Sequence, residues 1–403
     1  MNEGRLPRKG ATPGHPARGP DGVPRGFENP FTPSGEPPGL YVHVPFCVRK
    51  CAYCDFYSVP RTEGIPRWIQ DILKEAGMCR GIFPAFDTLY LGGGTPSLIG
   101  PEDLRRLFAG LRRELSFLPW VETTLEANPD DLSPGTLSEY RDLGIHRISL
   151  GLQSLDEGIL GFLGRRHSAR AAERSISWSL EAGFQSVGVD LIYGIPGQDP
   201  AAWMGCLEKV VSFRPHHLSC YQLTIAEETP FGRLAREGRL AMPDEETLAD
   251  LFLRTSDMLQ AHGYIHYEVS NFALPGHASR HNLKYWRRVP TLGLGPGAHS
   301  FAPPVRWWNP ASIELYSQKI SEGKHPFEAG EQLTAEQAFM ERLCLGFRNL
   351  EGVDLRTLSR LPRLDSTLEE LATKKLITLA HGKIVPTVKG YLVADSLPLR
   401  FLE

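Results

Sequence analysis

The sequence contains no uninterrupted apolar run near the roughly 20 residues that a membrane-spanning helix needs, and no short apolar segment after Met1 that would act as a secretory signal. It also has no surplus of basic residues, because 44 Lys and Arg stand against 47 Asp and Glu among its 403 residues. Nothing therefore drives sequence-independent binding to a phosphate backbone. We expect a cytoplasmic protein with no nucleic-acid partner and no stable insertion in a membrane.

Cysteine is scarce, and its seven copies form an odd number that does not suit a disulfide framework. Three of them lie within residues 47–54, and in a reducing compartment such a tight group indicates a metal or redox site. The other four, which we expect to be small buried apolar side chains, are Cys79, Cys206, Cys220 and Cys344. The search for chemistry therefore begins in the short segment that holds the first three.

The first 38 residues are rich in Gly, Pro and Arg and have almost no β-branched or aromatic side chains. This composition, without a helical or strand period, predicts a disordered segment over 1–38. A mitochondrial transit peptide is the alternative, but such peptides avoid acidic residues, whereas this segment contains Glu3, Asp21 and Glu28 and many prolines.

Short β-branched and apolar runs then alternate with stretches of helical period, a pattern typical of parallel βαβ units. The predicted strands cover residues 41–46, 88–94, 121–128, 146–154, 186–194 and 217–224. The fold class is therefore α/β, with a partial (β/α)6 barrel over residues 39–230. Polar residues and glycines cluster where these runs end, which is the face on which barrel enzymes build their sites.

The pattern changes after residue 230. Residues 231–325 contain a predicted helix over 244–262 and a glycine-rich strand-like run, and we expect them to extend or cover the barrel. Residues 326–403 are predicted to form helices followed by a short hairpin with a turn at His381 and Gly382, which fits a small winged-helix-like domain. Its basic residues are few and scattered, which favours a structural or lid role over DNA binding.

The cysteine segment, Cys47-Val-Arg-Lys-Cys51-Ala-Tyr-Cys54, directly follows the first predicted strand. Three thiolates on one loop suit a 4Fe-4S cluster whose fourth iron is not bound by protein. The alternative is a structural zinc site, but such a site needs a fourth ligand, and no second Cys or His pair has the spacing to supply it. His43 is close in sequence but falls within the first predicted strand.

Further motifs follow in order along the predicted strands: GGGTPS at 92–97, LEANP at 125–129, GLQS at 151–154 and DLIYGIPGQ at 190–198. With the three-cysteine loop, they make the sequence similar to the radical S-adenosylmethionine (radical SAM) superfamily, and within it to the oxygen-independent coproporphyrinogen III oxidase group. The resemblance covers residues 39–395, and it implies a radical SAM barrel carrying a 4Fe-4S cluster and S-adenosylmethionine.

The resemblance also implies roles for single residues. Cys47, Cys51 and Cys54 would hold the cluster, and Tyr53 would lie against the adenine. The residues implied to line the rest of the S-adenosylmethionine pocket are Tyr41, Gly93, Gly94, Thr95, Glu126, Gln153, Arg165 and Asp190. Their chemistry is compatible with these roles, because carboxylates and amides can bind hydroxyl or amino groups and a guanidinium can bind a carboxylate. Arg166, next to Arg165, is the alternative for that last role.

One departure from the oxidase pattern concerns the end of the cysteine motif. The oxidases continue it to CxxxCxxCxC, whereas Phe56 occupies the last cysteine position here. This difference favours the related HemW group of haem chaperones, and the segment HNLKYW at 281–286 matches that group's haem-associated motif. The resemblance thus implies haem as a third cofactor, with His281 able to supply an axial nitrogen. His266, His277 and His299 are alternative ligands, and a structural histidine packed beside Tyr285 and Trp286 is the alternative function of His281.

Two functions therefore remain as alternatives to a zinc-stabilised scaffold without redox chemistry. The first is a haem chaperone that binds haem and delivers it to haem-accepting proteins, among them respiratory or membrane-associated ones. The second is an oxidative decarboxylase of coproporphyrinogen III. Phe56 favours the first, and the sequence leaves a homodimer open.

Overall fold

The structure is a computed structural model that describes residues 35–359 and 361–401. Of the segment predicted to be disordered, residues 1–34 lie outside the described residues, and residues 35–38 have no regular secondary structure. Within the described ranges, no helix combines the length and the apolar character needed to cross a membrane.

Strands occur throughout the described part of the chain. They are β1 (Gly39–Val44), β2 (Phe86–Gly93), β3 (Phe117–Ala127), β4 (Arg147–Gln153), β5 (Ser186–Tyr193), β6 (His217–Gln222), β7 (Ile265–Glu268), β8 (Asn271–Ala273), β9 (Thr291–Leu294), β10 (His299–Ala302), β11 (Val305–Trp308), β12 (Ala329–Gln332), β13 (Val353–Asp354), β14 (Ile377–Ala380) and β15 (Lys383–Pro386).

Helices alternate with the first six strands and dominate the later chain. They are α1 (Ile65–Met78), α2 (Pro101–Glu114), α3 (Pro134–Asp142), α4 (Glu157–Leu163), α5 (Ala169–Glu181), α6 (Pro200–Ser212), α7 (Pro230–Arg236), α8 (Glu245–Ala261), α9 (Arg280–Trp286), α10 (Ile313–Ser321), α11 (Ala335–Gly346), α12 (Leu355–Leu358), α13 (Leu364–Thr373) and α14 (Val388–Tyr391).

Twelve of the described strands form one sheet, in the order β12-β11-β10-β9-β1-β2-β3-β4-β5-β6-β8-β7. The strands from β9 to β6 are parallel, and antiparallel strands extend the sheet at both edges. The six predicted strands correspond to β1–β6, so the α/β fold with a large parallel sheet is confirmed. The seventh parallel strand, β9, was not predicted as such, because its four residues pair with β1 across most of the chain, with Thr291 opposite Gly39.

The helices follow the sequence rules that predicted them. In α2, Pro101 occupies the first turn, where a missing amide hydrogen costs nothing, and acidic residues begin the helix while Arg112 and Arg113 end it. Its buried residues include Leu104, Leu107, Phe108 and Leu111, whose spacing of three or four residues forms one apolar face. This face packs into the same apolar core as the central strands.

The last part of the chain has a separate small sheet of β13, β15 and β14, all antiparallel. The predicted hairpin turn is present, because β14 ends at Ala380 and β15 begins at Lys383. Side chains between Leu343 and Phe401 form an apolar cluster of their own. The domain boundaries at 38, 230 and 325 and the winged-helix-like class stay predictions.

The isolated cysteines behave only in part as expected. Cys79 and Cys220 are buried, whereas Cys206 on α6 and Cys344 on α11 are partly exposed. Composition alone does not report which face of a helix a residue occupies, and that face decides the burial.

Candidate functional site

The three-cysteine loop follows β1 and is tied at both ends by backbone hydrogen bonds. The Cys47 amide donates to Val59 O at 3.0 Å, and the Ala52 amide donates to Leu163 O at 3.3 Å. Cys47, Cys51 and Cys54 are partly exposed and face a small cavity. We call this space the thiol cavity; its other walls include Tyr53, Gly94, Thr95, Asn128, Arg165 and Arg166.

The three thiols do not converge on one point. Among the described residues, no group of three or more His, Cys, Asp or Glu side chains is placed to hold a single metal ion. A cubane cluster offers a separate iron atom to each thiolate, so thiols spread around a cavity suit a cluster better than a mononuclear zinc site. Cys47, Cys51 and Cys54 are therefore the residues that can hold a 4Fe-4S cluster.

The glycine segment at the end of β2 passes close to β1. Gly93 has a φ of +110°, and a Cβ there would lie 2.5 Å from the His43 ring. A Cβ on Gly94 would lie 2.6 Å from the Phe46 carbonyl oxygen, so only glycine fits at both positions.

The amides of this segment are already bonded within the protein. Gly94 N donates to Val44 O at 2.7 Å, Thr95 N donates to Phe46 O at 2.7 Å, and Gly93 N donates to Glu126 Oε2 at 3.1 Å. These three amides are therefore not free for a ligand. In the structure the segment can offer a bound molecule its remaining carbonyl oxygens, which suit an amino group.

Arg165 links the thiol cavity to the end of β4. One of its terminal nitrogens, Nη1, donates to Cys51 Sγ at 3.5 Å and the other, Nη2, donates to Gly151 O at 2.5 Å, while Nε has no partner in the structure. Arg166 instead forms an ion pair with Asp131 at 2.5 Å. Arg165 therefore keeps a buried donor free for a carboxylate inside the cavity.

Gln153, the last residue of β4, and Asp190, on the neighbouring strand β5, both lie close to Gly151. Gly151 pairs in register with Asp190 on β5, and a Cβ on Gly151 would lie 3.2 Å from Gln153 Nε2. Gln153 itself has a φ of +71°, an uncommon conformation for a residue other than glycine. Ser149 Oγ donates to the Asp190 carboxylate at 3.2 Å, and burial raises the pKa of that carboxyl.

Glu126, at the end of β3, is held on both oxygens. The Tyr90 hydroxyl donates to Oε1 at 2.8 Å, and Gly93 N bonds Oε2. Burial raises the pKa of Glu126 to about 7, and the neighbouring Asp190 charge adds to that effect while the two hydrogen bonds oppose it. Near neutral pH this carboxyl can therefore either accept or donate a proton.

A second, larger cavity of about 620 Å³ adjoins these residues, within the range of roughly 300–1,000 Å³ usual for cofactor sites. We call it the aromatic cavity after the six rings in its wall. These are Tyr41, Phe56, Tyr90, Tyr221, Tyr285 and Trp286. Gly93, Glu126 and His281 share this wall, so the structure brings four of the predicted site residues, Tyr41 included, into one space.

His281 lies on α9 and is only 1% exposed. Its Nδ1 is 2.8 Å from Thr88 Oγ1, its Nε2 is 2.9 Å from the Tyr285 hydroxyl, and its ring stacks on Tyr90. Burial lowers the pKa of His281 to about 3, with a smaller effect of the Lys284 charge. The ring is therefore neutral at physiological pH, and both nitrogens have protein partners.

An ion pair inside the protein fixes α9 against β2. Lys284 Nζ is 2.7 Å from Asp87 Oδ1 and also donates to Pro37 O at 2.7 Å. Both side chains are buried, at 3% and 8% exposed. Gly39 makes room for this arrangement, since a Cβ there would lie 2.9 Å from the Lys284 side chain. The wall of the aromatic cavity thus depends on a charged contact outside it.

The alternative haem ligands lie elsewhere. His266 is buried against Phe272 and bonded to Ser256 Oγ at 2.9 Å, His277 lies beside His216, and His299 stacks on Trp308. His281 is the one of the four that contributes to the described wall of the aromatic cavity.

Several residues of this wall escaped the sequence analysis: Tyr90 on β2, Tyr221 on β6, and Glu268 and Asn271 on β7 and β8. Thr88, which bonds His281, and Tyr90 are two residues apart on β2, which places both on one face of the sheet. That spacing was the available signal. Glu268 and Asn271 gave no comparable signal, because the hairpin that carries them lies at the sheet edge far from β1 in the strand order.

Comparison with known proteins agrees with this geometry. The family model of the radical SAM superfamily matches residues 41–210, the stretch that holds β1–β5 and the three-cysteine loop. Membership of that superfamily implies a 4Fe-4S cluster and S-adenosylmethionine.

Curated relatives extend the match over most of the chain. "Heme chaperone HemW" of Mycobacterium tuberculosis is 34% identical over 90% of this chain and 94% of its own. The protein of the same name from Bacillus subtilis is 32% identical over 90% of this chain and 98% of its own. The chain therefore belongs to the HemW family of the radical SAM superfamily.

Among solved structures, coproporphyrinogen III oxidase (HemN) from Escherichia coli superposes with a TM-score of 0.76. The match covers 91% of this chain and 90% of the oxidase at 22% sequence identity. This likeness confirms the fold.

Proposed function

We propose that this protein is a haem chaperone: it binds haem reversibly in the aromatic cavity and passes it to haem-accepting proteins. The observation that carries the proposal is a cavity of about 620 Å³ with six aromatic rings and a neutral histidine in its wall. Flat aromatic surfaces suit a porphyrin face, and imidazole is an ordinary axial ligand of haem iron. The names of the two curated relatives support the same function.

In this proposal, Cys47, Cys51 and Cys54 hold the cluster and the neighbouring pocket holds S-adenosylmethionine. When bound, the cluster would supply an electron to S-adenosylmethionine, which is the cofactors' own chemistry. Arg165 binds the carboxylate of the methionine part, and carbonyl oxygens of the glycine segment bind its amino group. Tyr53 packs against the adenine, while Gln153 and Asp190 bind the ribose hydroxyls.

His281 can bind haem iron only if one of its two hydrogen bonds is exchanged. The bond to Tyr285 is the one that can open, because Tyr285 is 44% exposed whereas Thr88 is fully buried. A ligand that must displace a hydrogen bond is held less tightly than one on a free nitrogen. Weak, reversible binding is what a protein that releases haem requires.

The alternative, oxidative decarboxylation of coproporphyrinogen III, is less favoured. The oxidase pattern places a further cysteine where this chain has Phe56, whose side chain is 62% exposed and lines the aromatic cavity. An exposed apolar ring at that position adds contact area for a porphyrin and supplies no thiol.

Haem titration followed by the Soret band tests the proposal. We expect near-stoichiometric uptake by wild type, a weaker or shifted band for His281→Ala, and no change for His299→Ala, which lies outside the aromatic cavity. Loaded protein should pass its haem to apomyoglobin, a generic acceptor. Enzymatic turnover of coproporphyrinogen III without haem uptake would overturn the proposal in favour of the oxidase.

A further inference from the structure

The charges in the wall of the aromatic cavity are all of one sign. Two carboxyl groups, those of Glu126 and Glu268, contribute to it, and no Lys or Arg does so among the residues that the structure describes. A porphyrin carries its charge as peripheral carboxylates. Ionised Glu126 and Glu268 repel a carboxylate in a desolvated contact, and no Lys or Arg in the described wall offsets that repulsion. Above the pKa of about 7 of these two groups, the cavity therefore disfavours a carboxylate.

The Glu268 side of the wall is the least suited to an anion. Glu268 is 1% exposed; its Oε2 accepts from Ser270 N at 3.3 Å, and its Oε1 has no hydrogen-bond partner in the structure. Next to it, Asn271 is 4% exposed and its Oδ1 also lacks a partner. Both unpaired atoms are acceptors, and an acceptor cannot bind a carboxylate.

The rim of the cavity has the opposite character. Phe56 and Tyr285 are 62% and 44% exposed, so they stand where the cavity meets solvent. Lys50, which also lines the thiol cavity, lies beside Phe56, and its exposed ammonium donates to the Phe56 carbonyl oxygen at 3.0 Å. Lys50 has no carboxylate partner in the described part of the chain, whereas Arg287, which follows Trp286, is paired with Glu36 and Glu351. Lys50 is thus an exposed cation between the thiol cavity and Phe56 that can bind an anion.

We propose that a porphyrin enters the aromatic cavity with its carboxylate-free edge first, and that Lys50 contacts the carboxylates that remain outside. This inference rests on the proposed porphyrin binding and adds an orientation and a specificity to it. It selects porphyrins whose carboxylates are confined to one edge, such as haem with its two propionates. A tetracarboxylate porphyrin, which has a carboxylate on every pyrrole ring, cannot enter without placing at least one of them beside Glu126 or Glu268.

Binding of three ferric porphyrins to the same cluster-loaded protein tests the orientation. They are haem, haem dimethyl ester and iron coproporphyrin III, with two, no and four free carboxylates. We expect haem and its ester to bind within a few-fold of each other and iron coproporphyrin III to bind at least ten-fold more weakly. Equal binding of haem and iron coproporphyrin III would overturn the inference.

The contact with Lys50 is tested by Lys50→Met, with the exposed Lys74→Met on α1 as its control. An exposed ion pair contributes little, so we expect Lys50→Met to weaken haem binding about three-fold. Binding of the dimethyl ester should not change. If the ester is weakened as much as haem, the contact is not with carboxylates and the inference fails.

Glu268→Gln provides a separate check, because it removes one acidic group while keeping the shape of the side chain. We expect it to narrow the difference in affinity between haem and iron coproporphyrin III. If the difference in affinity between haem and iron coproporphyrin III is unchanged, Glu268 does not exclude carboxylates from the cavity and the inference is contradicted. Failure of wild type to bind any of the three porphyrins would instead refute the proposed function itself, so the two failures are distinct.

Discussion

The thiol cavity and the aromatic cavity adjoin each other at the ends of the same parallel strands, and consecutive residues of β2 and its following turn serve both. Gly93 lies in the wall of the aromatic cavity and Gly94 in the wall of the thiol cavity. The thiol cavity has sulfur, main-chain atoms and four basic side chains, whereas the aromatic cavity has rings and carboxyl groups. The four are Arg49, Lys50, Arg165 and Arg166. The ends of the parallel strands thus bring a cavity lined by cations beside a cavity lined by rings and carboxyl groups.

The difference shows how the two sites are specified. The thiol cavity depends on local sequence, since a short loop and a glycine turn supply most of it. The aromatic cavity is assembled from Tyr41, Glu268, His281 and Leu345, which are far apart in the chain. Substitutions should therefore affect the first site through single ligands and the second through the packing of whole elements.

The largest expected effect is on the thiol cavity. Replacing Cys51 by Ala should abolish cluster assembly, because two thiolates do not hold a cubane that three support. Iron and labile sulfide, measured after anaerobic reconstitution, should fall from about four of each to near zero. Cys344→Ala on α11 is the matched control and should retain both. A full cluster in Cys51→Ala, or stoichiometric zinc without sulfide in wild type, would contradict the assignment.

The next largest effect is expected at the ion pair between Lys284 and Asp87, which holds α9, a part of the wall of the aromatic cavity, against β2. Lys284→Met leaves the buried Asp87 carboxylate without its buried partner, and breaking such a pair costs roughly 3–5 kcal/mol. We expect the free energy of unfolding, measured in denaturant, to fall by about that amount and haem uptake to fall with it. A loss below about 1 kcal/mol would mean that Arg280, which is 2.7 Å from Asp87 Oδ2, compensates for the missing cation.

A smaller effect depends on pH. Burial raises the pKa of Glu268 to about 7 from its ordinary value of 4.5. Between pH 4.5 and pH 7 the folded protein therefore binds more protons than the unfolded chain. The protonated Glu268 carboxyl stabilises the fold below pH 4.5, and this stabilisation is lost as the pH rises to 7.

Glu268→Gln should remove the loss of folding stability that ionisation of Glu268 causes as the pH rises. Its stability relative to wild type should rise by on the order of 3 kcal/mol between pH 4.5 and pH 8, as measured by denaturant unfolding at both values. Glu246→Gln, an exposed substitution on α8, controls for the loss of one surface carboxylate. A stability difference that is the same at both pH values would show that Glu268 is ionised throughout.

The smallest expected effect is at the His281 ring. Tyr285→Phe removes the hydroxyl that bonds Nε2, which should lower the free energy of unfolding by about 1 kcal/mol. It should also tighten haem binding, because the iron no longer displaces that hydrogen bond. Tyr221→Phe, in the same cavity but on β6, is the control. Haem binding that is unchanged in Tyr285→Phe would indicate that Nε2 is not the axial ligand.

The sequence was sufficient for β1–β6 and for the position of the cysteine loop, since both follow from local patterns. It was not sufficient for β9, whose pairing with β1 joins distant parts of the chain. Nor did it predict that the amides of Gly94 and Thr95 donate to carbonyls of the first strand and its loop, or that both nitrogens of His281 are bonded. Hydrogen-bond partners depend on distances between elements, and no period or spacing in one chain reports those distances.

The separation of the two cavities along the chain has a consequence for synthesis. The described wall of the thiol cavity ends at Arg166, whereas that of the aromatic cavity includes Leu345, about 180 residues later. At roughly 5–20 residues per second, a ribosome needs on the order of ten seconds or more to cover that interval. All residues of the thiol cavity are therefore synthesised while the aromatic cavity still lacks part of its wall. Under the proposed function, the cluster can then be loaded before the cavity for haem is complete.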